Sequence, residues 1–342
     1  MRREGRIRVR FLLIPLLLSA FVAGAQDYKI RAKVDLVEVP VTVKGSANKL
    51  ITGLTKDDFA VFEDGKRQTI ATFTIDPVPL SAVVVLNTGL SPGSLTKIQK
   101  SITALAGSFS QFDEVAVYRY DKFVTKVLDF SKDQERFETA MQTVRDLEPD
   151  AQTNTRLPGE LERNPFSLPG PVINGAQVVP PGQIGIFVMM PPATSSVLHD
   201  AMFAAANDLA QRERNRRRMV LLVSDGQTRG SDQTLQAAIQ NLLEKGVQVY
   251  SVGLDLPFPH KKLSVLGEYA KATGGDAYYV DSIQDIESSY ARATETARNQ
   301  YIIGYNSNNE ISGQGPVFRD IDVEVIGRDL KTLHRRGYYQ YP

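Results

Sequence analysis

Two short runs constrain this chain more than anything else in it. Ala82 to Leu86 (AVVVL) and Met219 to Val223 (MVLLV) are continuous apolar stretches. A half-buried strand alternates apolar and polar residues. A strand without alternation needs cover on both faces, as in a parallel sheet sandwiched between helices. The surroundings agree. Ile98, Ile102, Leu105 and Phe109 recur at spacings of three and four, which predicts a helix over 95–109. Strands are expected at 114–120, 124–130, 247–254 and 277–280, with helices near 132–145, 196–214, 233–245, 263–272 and 286–299. Strands alternating with helices indicate an α/β fold with a doubly wound, mostly parallel sheet.

The flanks read differently. Val34 to Val43 (VDLVEVPVTV) alternates as a half-buried strand does, and Phe59 to Glu63 (FAVFE), Asp64-Gly65 and Gln68 to Phe73 read as strand, turn and returning strand. After Asn299 the β pattern returns at 300–305, at 318–325 and at Tyr338-Tyr339. A unit the size of residues 30–76 is too small to hold a core unaided. The expected organisation is an N-terminal β segment (27–77), an α/β domain (78–299) and a C-terminal β segment (300–342) that packs with the first. Residues 148–192, with Pro180-Pro181 and Pro191-Pro192, follow neither pattern. They read as a Pro-rich insertion projecting from the sheet's edge or rim, either a tolerated loop or a partner-binding arm.

Residues 1–25 have the order of a secretory signal peptide: a basic start (MRREGRIRVR), an apolar core from Phe11 to Val22, then Ala23-Gly24-Ala25. That core is short of the roughly 20 residues a membrane span needs, so no stable span is expected after its removal. The expected location is outside the inner membrane, periplasmic or extracellular. Those 25 residues carry five Arg and one Glu, which leaves the rest mildly acidic although the whole chain has 40 basic and 39 acidic side chains. A mildly acidic body argues against general nucleic-acid binding. With no Cys, disulfide scaffolds, thiolate zinc sites and cysteine nucleophiles are excluded.

Ala82 to Ser91 (AVVVLNTGLS), Thr194, and Met219 to Gly226 (MVLLVSDG) resemble the three loop segments of a von Willebrand factor type A (VWFA) domain. The stretch ITGLTKDDFAVFEDGKRQTIATF and the ending QYIIGYNSNN…FRDIDVEV…RRGYY resemble the flanks of exported, acidobacterial-type VWFA-related proteins. The resemblance covers nearly the whole chain beyond the leader, apart from the Pro-rich insertion. It implies a VWA/Rossmann-like sheet with a metal-ion-dependent adhesion site at its carboxyl edge, and a small β module built from both chain ends.

In such a site an Asp-x-Ser-x-Ser loop, a Thr and a late Asp offer oxygens to Mg²⁺ or another divalent cation, and the cation takes a carboxylate from a protein partner. The resemblance puts Asn87, Ser91, Thr194 and Asp225 at these positions. Asn87 stands where the motif has Asp, and Gly89 where it has the first Ser. Only Asp225 then supplies formal charge, so the site is degenerate. Two readings follow: a weakened cation site, or four side chains that hydrogen-bond one another and hold the loops without metal.

Enzyme signatures are missing. Val223-Ser224-Asp225-Gly226 lacks the glycines of a nucleophile elbow, and no phosphate loop occurs. His199, His260 and His334 lie far apart, outside any H-E-x-x-H pattern. The basic run Arg212, Arg214, Arg216, Arg217, Arg218 is expected to complement the dipole at a helix C-terminus. The expected function is protein–protein interaction through the loop rim, with no catalysis. The alternatives are a scaffolding component of the envelope with a vestigial metal site, and third, a hydrolase.

Overall fold

A computed structural model describes residues 36–148, 172–173, 176–177, 196–254, 264–309 and 315–342. The leader and most of the Pro-rich insertion lie outside these residues. Among the described residues no helix is long and apolar enough to cross a membrane.

The chain starts with β1 (Leu36–Lys44), β2 (Phe59–Glu63), β3 (Lys66–Gln68) and β4 (Ile70–Thr74). The α/β part follows: β5 (Leu80–Asn87), α1 (Pro92–Gly107), β6 (Glu114–Tyr120), β7 (Val124–Ser131) and α2 (Gln134–Arg145). After the two-residue strands β8 (Val172–Ile173) and β9 (Ala176–Gln177) come α3 (Leu198–Ala210), β10 (Arg217–Ser224), α4 (Leu235–Glu244) and β11 (Gln248–Leu254). Then come α5 (Val265–Thr273), β12 (Ala277–Val280), α6 (Ile283–Arg298), and a closing β13 (Tyr301–Asn306), β14 (Val317–Val325), β15 (Lys331–Leu333) and β16 (Gly337–Gln340).

The expected doubly wound sheet is present. Its six strands run β12-β11-β10-β5-β6-β7, all parallel except β7, which is antiparallel to β6. The apolar runs are explained by what each face covers. Leu80, Ala82, Val84 and Leu86 join a core shared with α1, α2 and α6. Val83 and Val85 point the other way, into a core shared with α3, α4 and α5. A strand pressed between two helical layers has no solvent face, so both of its faces are mostly apolar.

The strands of the two ends form two four-stranded sheets, β15-β1-β13-β4 and β16-β14-β2-β3. Val39 and Val41 of β1, Val61 of β2, Ile303 of β13 and Val323 of β14 belong to one core between these sheets. Neither end closes this sandwich alone: β1 pairs with β13 and β2 with β14. Asp64 and Gly65 both take positive φ (48° and 75°), the backbone of a tight hairpin turn. The returning strand expected over 68–73 is in fact two strands. β3 pairs with β2, whereas β4 pairs with β13 in the other sheet.

The sandwich abuts the N-terminal ends of the parallel strands. Lys44 of β1 makes a buried ion pair with Asp276, just before β12, and Arg336 N–H donates to the Ala272 carbonyl at 3.0 Å. Gly274, at φ 80°, lies so close to the His334–Arg335 backbone that any Cβ there would collide with it.

The arginine run also belongs to this N-terminal end, which corrects the helix-dipole expectation. α3 stops at Ala210, before the run begins. Arg212 grips Glu114 at both oxygens (2.8 and 2.6 Å), and Arg216 donates to the Leu80 and Phe112 carbonyls (2.6 and 2.7 Å). Arg218 donates to the Arg212 and Lys245 carbonyls (2.6 and 3.0 Å). These guanidiniums staple strand starts together and compensate buried charge.

Candidate functional site

At the opposite, carboxyl end of the strands, three connections converge: the β5–α1 loop, the β6–β7 turn and the β10–α4 loop. This is where ligand-binding loops of open α/β sheets meet. Asn87, the last residue of β5, is 2% exposed. Its Oδ1 accepts the Gly89 N–H at 3.0 Å and its Nδ2 donates to Asp225 Oδ1 at 3.1 Å. The backbone donor at Gly89 sets which end of the amide faces which neighbour. Asp225 Oδ1 also accepts the Gln227 N–H at 3.1 Å, which closes the turn after β10. Gly226 takes φ 74°, and its N–H donates to Ser224 Oγ at 2.9 Å.

Ser91 has other work. Its Oγ accepts the Ser94 N–H (3.3 Å) as the N-cap of α1, with Pro92 next, and its hydroxyl also bonds the Ser94 hydroxyl (2.8 Å). Ser91 is exposed. Thr194 lies outside the described residues, as does His260. Of the four residues assigned by resemblance, Asn87 and Asp225 are brought into direct contact.

The β10–α4 loop is strapped to the start of α3. Ser196 and Arg229 exchange two backbone hydrogen bonds, each 2.8 Å. Asp200 accepts the N–H groups of Asp232 (3.0 Å) and Gln233 (2.8 Å). Beneath the rim, Tyr120 and Ser224 hydroxyls bond at 2.7 Å, and His199 Nδ1 meets the Tyr269 hydroxyl at 2.8 Å. Burial drives the Tyr120 hydroxyl far above its ordinary pKa, and the Asp225 carboxylate adds to this. Burial also holds His199 below the usual histidine range, opposed by Asp200. His199 and Asp200, adjacent in sequence, thus serve different contacts: His199 bonds Tyr269 beneath the rim and Asp200 holds the β10–α4 loop.

As described, this donor set does not fit a divalent cation. The Asn87 amide presents hydrogens, not an oxygen, toward Asp225, and Gly89 has no side-chain donor atom. A Cβ at Gly89 would approach Asp121 Cβ to 3.3 Å, so even a serine there needs its neighbour to give way. Among the described residues no group of three or more His, Cys, Asp or Glu side chains is arranged to hold a metal.

Sequence reasoning noted Asp200 only as an acidic residue suited to a helix start, and it missed Asp121, Ser196 and Phe123. One signal was available: strands expected at 114–120 and 124–130 leave a three-residue connection, which must lie at the carboxyl end of β6 and hence at the rim.

No family model matches the sequence, and no curated protein matches it. Among solved structures the chain is similar to proximal thread matrix protein 1 from the mussel byssus, at 13% identity over 66% of this chain, with a TM-score of 0.43. The match covers 49% of the mussel protein, so the chain spans about half its length. It is also similar to BatB from Bacteroides thetaiotaomicron (13% identity, 63% of this chain, 99% of that one, TM-score 0.41). A von Willebrand factor type A structure from Catenulispora acidiphila is 10% identical over 81% of this chain and 73% of that one, with a TM-score of 0.45.

Proposed function

We propose that this chain is an exported VWFA-type protein that binds another protein at its loop rim, without catalysis and without a resident metal. The observation that supports this reading is the Asn87–Asp225 hydrogen bond at 3.1 Å. It ties the first and last motif loops directly, so the rim has a fixed floor where the adhesion-site motif uses a cation. Among the described residues, the β sandwich lies at the other end of the sheet and does not cover the rim.

The test is to immobilise the protein without its leader and measure which envelope proteins it retains in EDTA. Retention in EDTA that is lost in the Asn87→Ala/Asp225→Ala double variant is the expected result. Retention that survives the double variant removes the rim from the reading. Calorimetric titration of Mg²⁺, Mn²⁺ and Ca²⁺ supplies the second arm. Saturable binding abolished by Asp225→Ala would overturn the metal-independent form.

One observation favours the scaffolding alternative: Ser91 uses its hydroxyl to cap α1, as any structural serine does. Under that reading both rim variants leave every interaction unchanged.

A further inference from the structure

The turn between β6 and β7 consists of Asp121, Lys122 and Phe123. Asp121 N–H donates to the Phe123 carbonyl at 3.2 Å, and Phe123 N–H donates to Asp121 Oδ1 at 3.0 Å, so the tip is closed on itself. It is also fastened to its neighbours. Val197 N–H donates to the Asp121 carbonyl at 3.0 Å, and Thr88 N–H to the Tyr120 carbonyl at 2.9 Å. Arg119 reaches the other Asp121 oxygen at 3.4 Å. On this fixed turn the Phe123 ring is 75% exposed, more than any other large apolar side chain among the described residues. Lys122, also exposed, precedes it.

A flexible tip would have to be ordered on binding, at an entropic cost. This one is held in place beforehand, which lowers that cost. Aromatic side chains are enriched at the centres of protein interfaces, where a few of them carry most of the affinity. We propose that Phe123 is the apolar anchor of the rim and enters an apolar pocket of a protein partner, with Lys122 meeting carboxylates at the pocket's edge. The proposal rests on the rim reading above and names the residue and the partner chemistry it lacked.

The test uses a phage-displayed random peptide library selected on the protein without its leader, with four variants: Phe123→Ala, Phe123→Tyr, Lys122→Glu and Asp225→Ala. The expected clones combine apolar residues with Asp or Glu. They bind Phe123→Ala about 30-fold more weakly, the effect of a typical interface hot spot, keep most affinity for Phe123→Tyr, and lose affinity for Lys122→Glu. Clones sensitive to Asp225→Ala but indifferent to Phe123→Ala overturn the anchor and leave the rim reading standing. Clones indifferent to every rim variant, or no clones at all, overturn both. Two further outcomes also overturn the proposal: concentration-dependent self-association abolished by Phe123→Ala, which makes the occupant a second copy, and retention on anionic phospholipid vesicles abolished by it, which makes the occupant a membrane. Because Phe123 belongs to none of the three cores, an unchanged melting temperature for Phe123→Ala separates lost binding from lost folding.

Discussion

The two ends of the parallel sheet are made by the same strands and use charge in opposite ways. At the N-terminal end, Glu114 is buried beneath Arg212 and Arg216, and Asp113 pairs with Arg298. Every one of these groups holds one strand start or helix end against another. At the carboxyl end, one side-chain bridge, Asn87 to Asp225, joins the first and last motif loops, while Lys122 and Phe123 face solvent. The most basic stretch of the sequence is thus architecture, whereas the contacts proposed above lie on the carboxyl-end loops. Charge density in the sequence was a poor guide to exposed charge, because these guanidiniums are turned inward onto backbone carbonyls and a carboxylate.

Substitutions at the two ends test this contrast. The largest effect is expected for Glu114→Ala. It leaves Arg216 buried beside strand starts with its counter-charge gone, and breaking a buried pair in this way costs about 3 kcal/mol; urea unfolding measures it. Asn87→Asp should cost about 2 kcal/mol without metal, because it replaces a hydrogen bond with two facing carboxylates. The same variant sharpens the comparison: recovery of its melting temperature on adding Mg²⁺, but not Na⁺ at equal ionic strength, would mean that one substitution restores a cation site. Ser91→Ala removes the N-cap of α1 and should cost about 1 kcal/mol, equally with and without divalent cations. Differential scanning calorimetry in both buffers checks this.

The smallest expected effect is a pH dependence. Burial holds His199 below the ordinary histidine pKa of 6.5 in the folded chain. The unfolded chain therefore binds the proton first as pH falls, so this contribution to stability is complete above about pH 6.5 and declines below it. The melting temperature should drop less steeply between pH 7 and pH 5 in His199→Gln than in the parent protein.

How much of this was legible beforehand depended on how local the cause was. Phe59–Glu63, Glu114–Tyr120 and Ala277–Val280 occur as expected, because alternation or a bounded apolar run is written into consecutive residues. The sheet exchange after Gln68 was not legible. Residues 68–73 look like one strand, and only pairing with β13, more than 200 positions away, splits them. The same holds for the rim. Asn87 and Asp225 were identifiable from motif position, yet their direct hydrogen bond depends on two strand ends meeting. Ser91 was placed in the site by motif position, whereas its side chain belongs to α1.

The sequence by itself determined the two-sided burial of β5 and β10 and the alternation that winds helices on both faces of the sheet. It also determined the loss of charge at Asn87. These follow from residue type and spacing along the chain. Only the tertiary structure decided that the arginine run would staple strand starts, that Asn87 would bond Asp225, and that Phe123 would stand exposed on a closed turn. The first two depend on which distant groups come within about 3 Å, a distance that hydrogen bonding requires and sequence spacing does not encode, and the third on what packs around a short turn.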